Sequence, residues 1–185
     1  MATPPPQQVI QLRISLAEVT PEVWRRVLVP GGVRLAKLHA ILQAAMGWTD
    51  SHLHVFRIGD DVYGAQFDDY PPEEVDERTV SVLKAVRGHE RFVYEYDFGD
   101  GWIHHVLVEA IHPTLHGLRF GVCLAGESAC PPEDCGGPGG YAGLIEAYAD
   151  PDHEDHLEVL LWLEHELDPT AFDIAAINVE LQRVR

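Results

Sequence analysis

Residues 91–111 read RFVYEYDFGDGWIHHVLVEAI. On both sides of Phe98-Gly99-Asp100-Gly101 the residues are rich in aromatic and β-branched types, which suit a pleated, half-buried surface. An apolar pattern with period two belongs to strands rather than helices. The Gly/Asp cluster between the runs supplies turn chemistry. Residues 91–98 and 102–111 therefore predict an antiparallel hairpin, the clearest in the chain.

The flanking segments extend that sheet. In VIQLRISLAE, from residue 9 to 18, Ile10, Leu12, Ile14 and Leu16 share one face. Thr20-Pro21 turns the chain, and Val23–Pro30 predicts a second strand ended by Pro30-Gly31-Gly32. Over residues 34–46 the period changes. Leu35, Leu38, Ile41, Leu42 and Ala45 recur at three and four, which predicts an amphipathic helix closed by Gly47, with Trp48 folding back over its end. Residues 52–58 predict a third strand and Val62–Gly64 a short return. The acidic stretch 66–78 reads as a surface loop and 79–86 as a short helix.

Beyond residue 140 the pattern is helical. Helices are expected over 141–149, 152–167 and 172–184, with Leu157, Leu160, Leu161 and Leu163 as the buried stripe of the middle one. Asp150-Pro151 and Asp168-Pro169-Thr170 break them. The fold class is α+β: an antiparallel β-sheet with one early helix and a C-terminal helical segment packed on it. Residues 1–8 form a flexible lead. Residues 9–185 form a single domain, sheet-rich over 9–120, with a Cys/Pro/Gly junction at 121–140 and helices over 141–183.

The chain has 185 residues, 46% of them hydrophobic and 23% charged, enough for one domain with a real core. MATPPPQQ has no basic start and no apolar run, so it is no signal peptide. No stretch approaches the roughly 20 apolar residues of a membrane span. A cytoplasmic location is expected, with thiols reduced. The net charge is −17. From residue 121 onward fourteen acids face only Arg183 and Arg185, a net −12. Such a field repels phosphate backbones and anionic lipid, so direct DNA binding is disfavoured. A protein partner, basic in character, or a cation fits it. The same charges also serve as a solvated face.

Several residues could carry chemistry. His52 and His54 are two apart on a strand and project from one face with Phe56. His104 shares its face with Trp102 and Val106. It is either a core histidine that holds the hairpin through a hydrogen bond to Asp97 or Asp100, or a ligand or base oriented by one of those carboxylates. No G-x-S-x-G elbow or P-loop is present.

All three cysteines lie in CLAGESACPPEDC, at spacing C-x6-C-x4-C. Zinc knuckles use shorter paired gaps. A structural zinc held by Cys123, Cys130, Cys135 and His104 stands beside a metal-free, proline-stiffened turn, and both readings stay open.

The stretches WRRVLVP, LHAILQAAMGW, HLHVF, YEYDFGDGWIHHVLVE, CPPEDCGGPGGY and DPTAFDIAAIN together resemble the plasmid pRiA ORF-3-like family, which is also grouped with insertion-element passenger proteins in a TnpR-like superfamily. The resemblance implies an α+β fold and a mobile-element setting, with no established biochemical function. The chain lacks a catalytic-serine resolvase pattern and a basic DNA-reading helix.

Three functions follow as expectations. The leading one is a small soluble binding or interaction protein that offers an aromatic, histidine-bearing sheet face and an acidic helical face. The second is a metal-dependent hydrolase-like enzyme using His52, His54, Asp97, Asp100 and His104. The third, suggested by the mobile-element setting, is a nucleic-acid accessory protein.

Overall fold

The computed structural model describes residues 8–66, 74–113, 118–163 and 166–184. The flexible lead expected over 1–8 therefore falls almost wholly outside the described residues. Eight strands form one sheet: β1 (Val9–Leu16), β2 (Trp24–Pro30), β3 (His54–Ile58), β4 (Asp61–Gly64), β5 (Val75–Asp76), β6 (Arg91–Tyr96), β7 (Trp102–His112) and β8 (Val122–Glu127). Their order is β5-β4-β3-β6-β7-β1-β2-β8. Every pairing is antiparallel except β4 with β5. The helices are α1 (Leu35–Met46), α2 (Val82–Ala85), α3 (Gly137–Ala149), α4 (His156–Trp162) and α5 (Ile174–Arg183).

The mixed architecture agrees with the α+β class, and four details differ. Two helices rather than the one early helix of the fold-class reading precede the junction, α1 and the single-turn α2, which lies within the short helix expected over 79–86 and whose Ser81 side chain caps Lys84 N. The junction is not wholly irregular. Residues 122–127 pair with β2 as β8, and the glycines from Gly137 onward already form the first turn of α3. The helix expected over 152–167 is only α4, seven residues long. Part of the 66–78 loop is β5, while residues 67–73 lie outside the described residues.

One face of the sheet is buried. Ile10, Leu12 and Ile14 of β1, Val27 and Val29 of β2, Phe92, Tyr94 and Tyr96 of β6, and Trp102, His104 and Val106 of β7 all point into it. Leu35, Leu38, Ile41, Leu42 and Ala45 of α1 cover that face at the 3.6-residue period. The aromatic, histidine-bearing surface expected to be offered to a partner is thus the core itself. The opposite face carries Arg13, Ser15, Arg57, Arg91 and His105 along a shallow groove.

The alternation of β2 places Arg25 on the buried face with Val27 and Val29, and only 2% of it is exposed. A buried guanidinium has to be satisfied by acceptors. Arg25 Nε donates to Ala45 O at the end of α1 (3.0 Å). Its Nη1 donates to Trp24 O and Glu127 O, and its Nη2 to Ser128 O, each at 2.8 Å. Phe172 stacks over it at 5.0 Å. A Cβ on Gly126 would come within 2.6 Å of the Phe172 ring and 2.7 Å of Trp24 O, so glycine is required where this ring meets the strands.

The edge strand β8 is held from outside by α5. Asn178 accepts from Cys123 N (2.9 Å) and donates to Cys123 O (3.0 Å). Asp173 caps that helix by accepting from Ala175 N (2.9 Å) and Ala176 N (3.0 Å).

Arg25→Ala strands four carbonyls at once and should lower unfolding free energy by at least ~3 kcal/mol. Arg25→Lys should recover less than half of that, because an ammonium lacks the planar fork. Urea unfolding of the three proteins checks this. A lysine variant as stable as wild type would contradict it.

Candidate functional site

The Cys/Pro/Gly junction folds over the exit of α1 and the tip of the β6–β7 hairpin. Trp48 Nε1 donates to Pro131 O (2.9 Å). The Glu133 carboxylate accepts from Tyr96 OH at 2.5 Å and from the Thr49 hydroxyl. Asp100 Oδ2 accepts from Gly136 N (3.1 Å). Gly137 has φ +69°, and a Cβ there would lie 2.2 Å from Asp100 O. Gly137 is therefore required by close backbone approach to the hairpin tip. Asp97, itself at φ 55°, shapes that tip by accepting from Gly99 N at 2.9 Å. Both aspartates have structural partners.

The structure separates the five His/Asp candidates into distinct places. His104 is fully buried, with Nδ1 3.2 Å from Tyr94 O and Nε2 without a hydrogen-bond partner among the described residues. Trp48 meets its ring edge-on at 5.2 Å. Burial lowers its pKa to about 4. His52 lies at the surface of the hairpin tip, with Nε2 3.1 Å from Asp134 and 3.6 Å from Asp97. These are ion-pair distances, out of line for a hydrogen bond.

His54 is in a third place, with Nε2 2.8 Å from Glu77. There it stacks on His39 of α1, with ring centroids 3.5 Å apart. His39 Nδ1 is 2.7 Å from Tyr94 OH and its Nε2 is 2.6 Å from Asp50. Burial and the adjacent His54 ring hold His39 below the ordinary imidazole range, against the pull of Asp50. His39, Asp50 and Glu77 were not legible as partners of His54. His39 lies on the apolar stripe of α1, and the two carboxylates lie in loops.

Cys123 is buried on β8, where its thiol donates to Ala125 O (3.4 Å). The three cysteines are free thiols. Burial pushes the Cys130 thiol far above its ordinary range. Burial, then Asp100 and Asp134, push Cys135 up to about 12. Among the described residues, two groups of three His/Cys/Asp/Glu residues bring their ligand atoms within 4.8 Å of one another: His39-Asp50-His54 and His52-Asp97-Asp134. Cys123, Cys130, Cys135 and His104 form no such group among the described residues.

The acidic helical part presents a different surface. The stripe of α4 faces solvent instead of the core: Leu157 is 73% exposed, Leu161 88% and Trp162 45%. The reason is geometric. The sheet face is already covered by α1, with α5 beside it, and α4 packs chiefly against α3. A groove between α3 and α4 is lined by Leu144, Ala147, Val159 and Trp162, with Glu154 and Glu158 on its rim. Among the described residues, no lysine or arginine pairs with either glutamate.

The depressed His104 pKa fixes the sign of a pH effect. Above about pH 6.5 the ring is neutral whether folded or unfolded, and it contributes nothing. As pH falls from 6.5 towards about 4, the unfolded chain takes up the proton first, so stability falls. The full effect is roughly 3 kcal/mol. Between pH 7 and pH 4 a His104→Gln variant should therefore lose about 3 kcal/mol less than wild type, as read by urea unfolding. Parallel losses would contradict this assignment.

Comparison with known proteins agrees with this fold. The family model described as plasmid pRiA4b ORF-3-like protein matches residues 8–176. An uncharacterized protein, y4hQ of Sinorhizobium fredii (strain NBRC 101917 / NGR234), is 44% identical over 173 residues, covering 92% of this chain and 89% of the relative. The crystal structure of MM3350, a protein of unknown function from Methanosarcina mazei Go1, superposes with a TM-score of 0.82 at 35% identity, covering 91% of this chain and 97% of that one. The aromatic hairpin, the glycine-docked junction and the Asn178-clamped edge strand are thus those of a chain that belongs to the plasmid pRiA4b ORF-3-like protein family.

Proposed function

We propose that this protein is an interaction module that receives a basic, amphipathic protein segment in the α3–α4 groove. The observation that carries this reading is the 45% exposed Trp162 lining that groove, on a helix with no buried residue whose Leu157 and Leu161 are also exposed. An apolar groove flanked by like charge is the pattern of a binding face rather than of a solubilising one. Glu154 and Glu158 beside the groove select for lysine and arginine on the incoming segment. The exposed Trp162 ring is the type of residue that anchors an interface.

The other readings have less support. Of the hydrolase-like set, His52 and Asp97 meet at the hairpin tip while His54 and His104 lie elsewhere, and His104 is fully buried. On the open sheet face Arg13, Arg26 and Arg57 are paired with Glu22, Glu109 and Glu95, which leaves less positive charge for a phosphate backbone.

A fluorescent peptide with alternating Leu and Lys faces is the probe, with an all-Lys peptide of equal charge beside it. The amphipathic peptide should bind, and more weakly as salt rises. Glu158→Lys combined with Trp162→Ala should weaken it at least ~tenfold, while melting temperature stays within a degree or two, because these side chains are exposed. Equal affinity for the all-Lys peptide, or no effect of the double variant, would reject the groove.

A further inference from the structure

His39 and His54 come from different elements, yet their imidazoles lie face to face, with centroids 3.5 Å apart and planes within 4°, so a shared ion, which an imidazole binds in its own plane, requires one ring to turn out of this stack. Their ring nitrogens and a carboxylate oxygen of Asp50 lie within 4.8 Å of one another. We propose that His39, His54 and Asp50, with Glu77 beside them, form a binding site for a first-row divalent transition metal of the zinc type.

Each ring is held in place by a polar partner. Tyr94 OH, 2.7 Å from His39 Nδ1, itself accepts from Gln43 Nε2 at 2.9 Å. Gln43 Oε1 in turn accepts from Asp50 N at 3.0 Å. One chain of hydrogen bonds thus orients both His39 and the Asp50 loop. Glu77 sits 2.8 Å from His54 Nε2. A carboxylate or hydroxyl on an imidazole nitrogen is how metal-bound histidines are oriented. Glu77 can serve in that way or as a further oxygen ligand.

Charge and access point the same way. The Glu77 side chain is 6% exposed, and its ion-pair partner is His54. Asp50 and Glu77 together balance one dication. Protonating both rings would instead set two like charges 3.5 Å apart. The Asp50 side chain is 59% exposed, which gives an ion an entry path, while His39 and His54 close the inner side at 7% and 8%. Two imidazoles with carboxylate oxygen favour zinc, cobalt or nickel over magnesium or calcium, which prefer all-oxygen shells.

The test uses the full-length chain stripped with a chelator and titrated with zinc chloride and cobalt chloride. One metal per chain should bind and raise the melting temperature, and cobalt should give the absorption bands of nitrogen/oxygen ligation. Asp50→Ala keeps the buried network intact and should weaken binding at least ~tenfold. His54→Gln should abolish it. His52→Ala and Cys130→Ser should bind as wild type. Folded wild-type protein that takes up no metal would reduce the cluster to structural His–carboxylate pairs and overturn the proposal. Loss of metal on Cys130→Ser, with sulfur charge-transfer bands in the cobalt spectrum, would overturn it in favour of the cysteine junction. Loss on His52→Ala would move the site to the hairpin tip.

Discussion

A single buried cation sets the geometry around which the sheet and its helices meet. Arg25 takes a core position on β2, and its planar fork reaches backbone carbonyls at the end of α1, on β2 itself and just beyond β8. Carbonyl dipoles satisfy the charge, and among the described residues no carboxylate pairs with it. The cost of burial is met only when all of those chain segments are in register. Phe172 closes the remaining side of the guanidinium, and that ring in turn requires Gly126. The guanidinium therefore links the early sheet, the first helix and the C-terminal segment in one cooperative contact.

Legibility in the sequence follows the range of the forces involved. The β6–β7 hairpin, β1 and α1 could be read because alternation and the 3.6 period are local. Gly47 could be read as a helix stop because its left-handed conformation is a property of the residue itself. Arg25 could not, since an arginine between Trp24 and Arg26 looks like solvated strand until its distant carbonyls are known. β8 was hidden because Cys, Ala and Gly carry little strand signal, and its pairing with β2 crosses most of the chain. The leucines of α4 carried the right period and the wrong inference. Periodicity marks an apolar face but does not say that the rest of the protein has room to cover it.

The site residues divide along the same line. His54 and His52 could be singled out from their spacing, and Asp97 and Asp100 from turn chemistry. The pairing of His54 with His39 could not be foreseen, because His39 looks like the edge of a helix stripe. Only the placement of β3 beside α1 brings the two rings together. The Cys/Pro/Gly stretch is sharper too. Its Gly137 is set by contact with Asp100, and its Glu133 is engaged by Tyr96 and Thr49. The segment between the sheet and α3 is thus bound down on the hairpin tip.

The clamp of Asn178 on Cys123 has a consequence for how the molecule behaves in a crowded cell. An eight-stranded sheet ends in two rows of backbone donors and acceptors, each a template for a stray strand. On the β8 side one side-chain amide takes both the donor and the acceptor of the same residue, as a neighbouring strand would. At the far end β5 is only two residues long. A chain rich in aromatic strands thereby keeps its margins closed to templated aggregation, and one asparagine on the last helix guards the longer of the two.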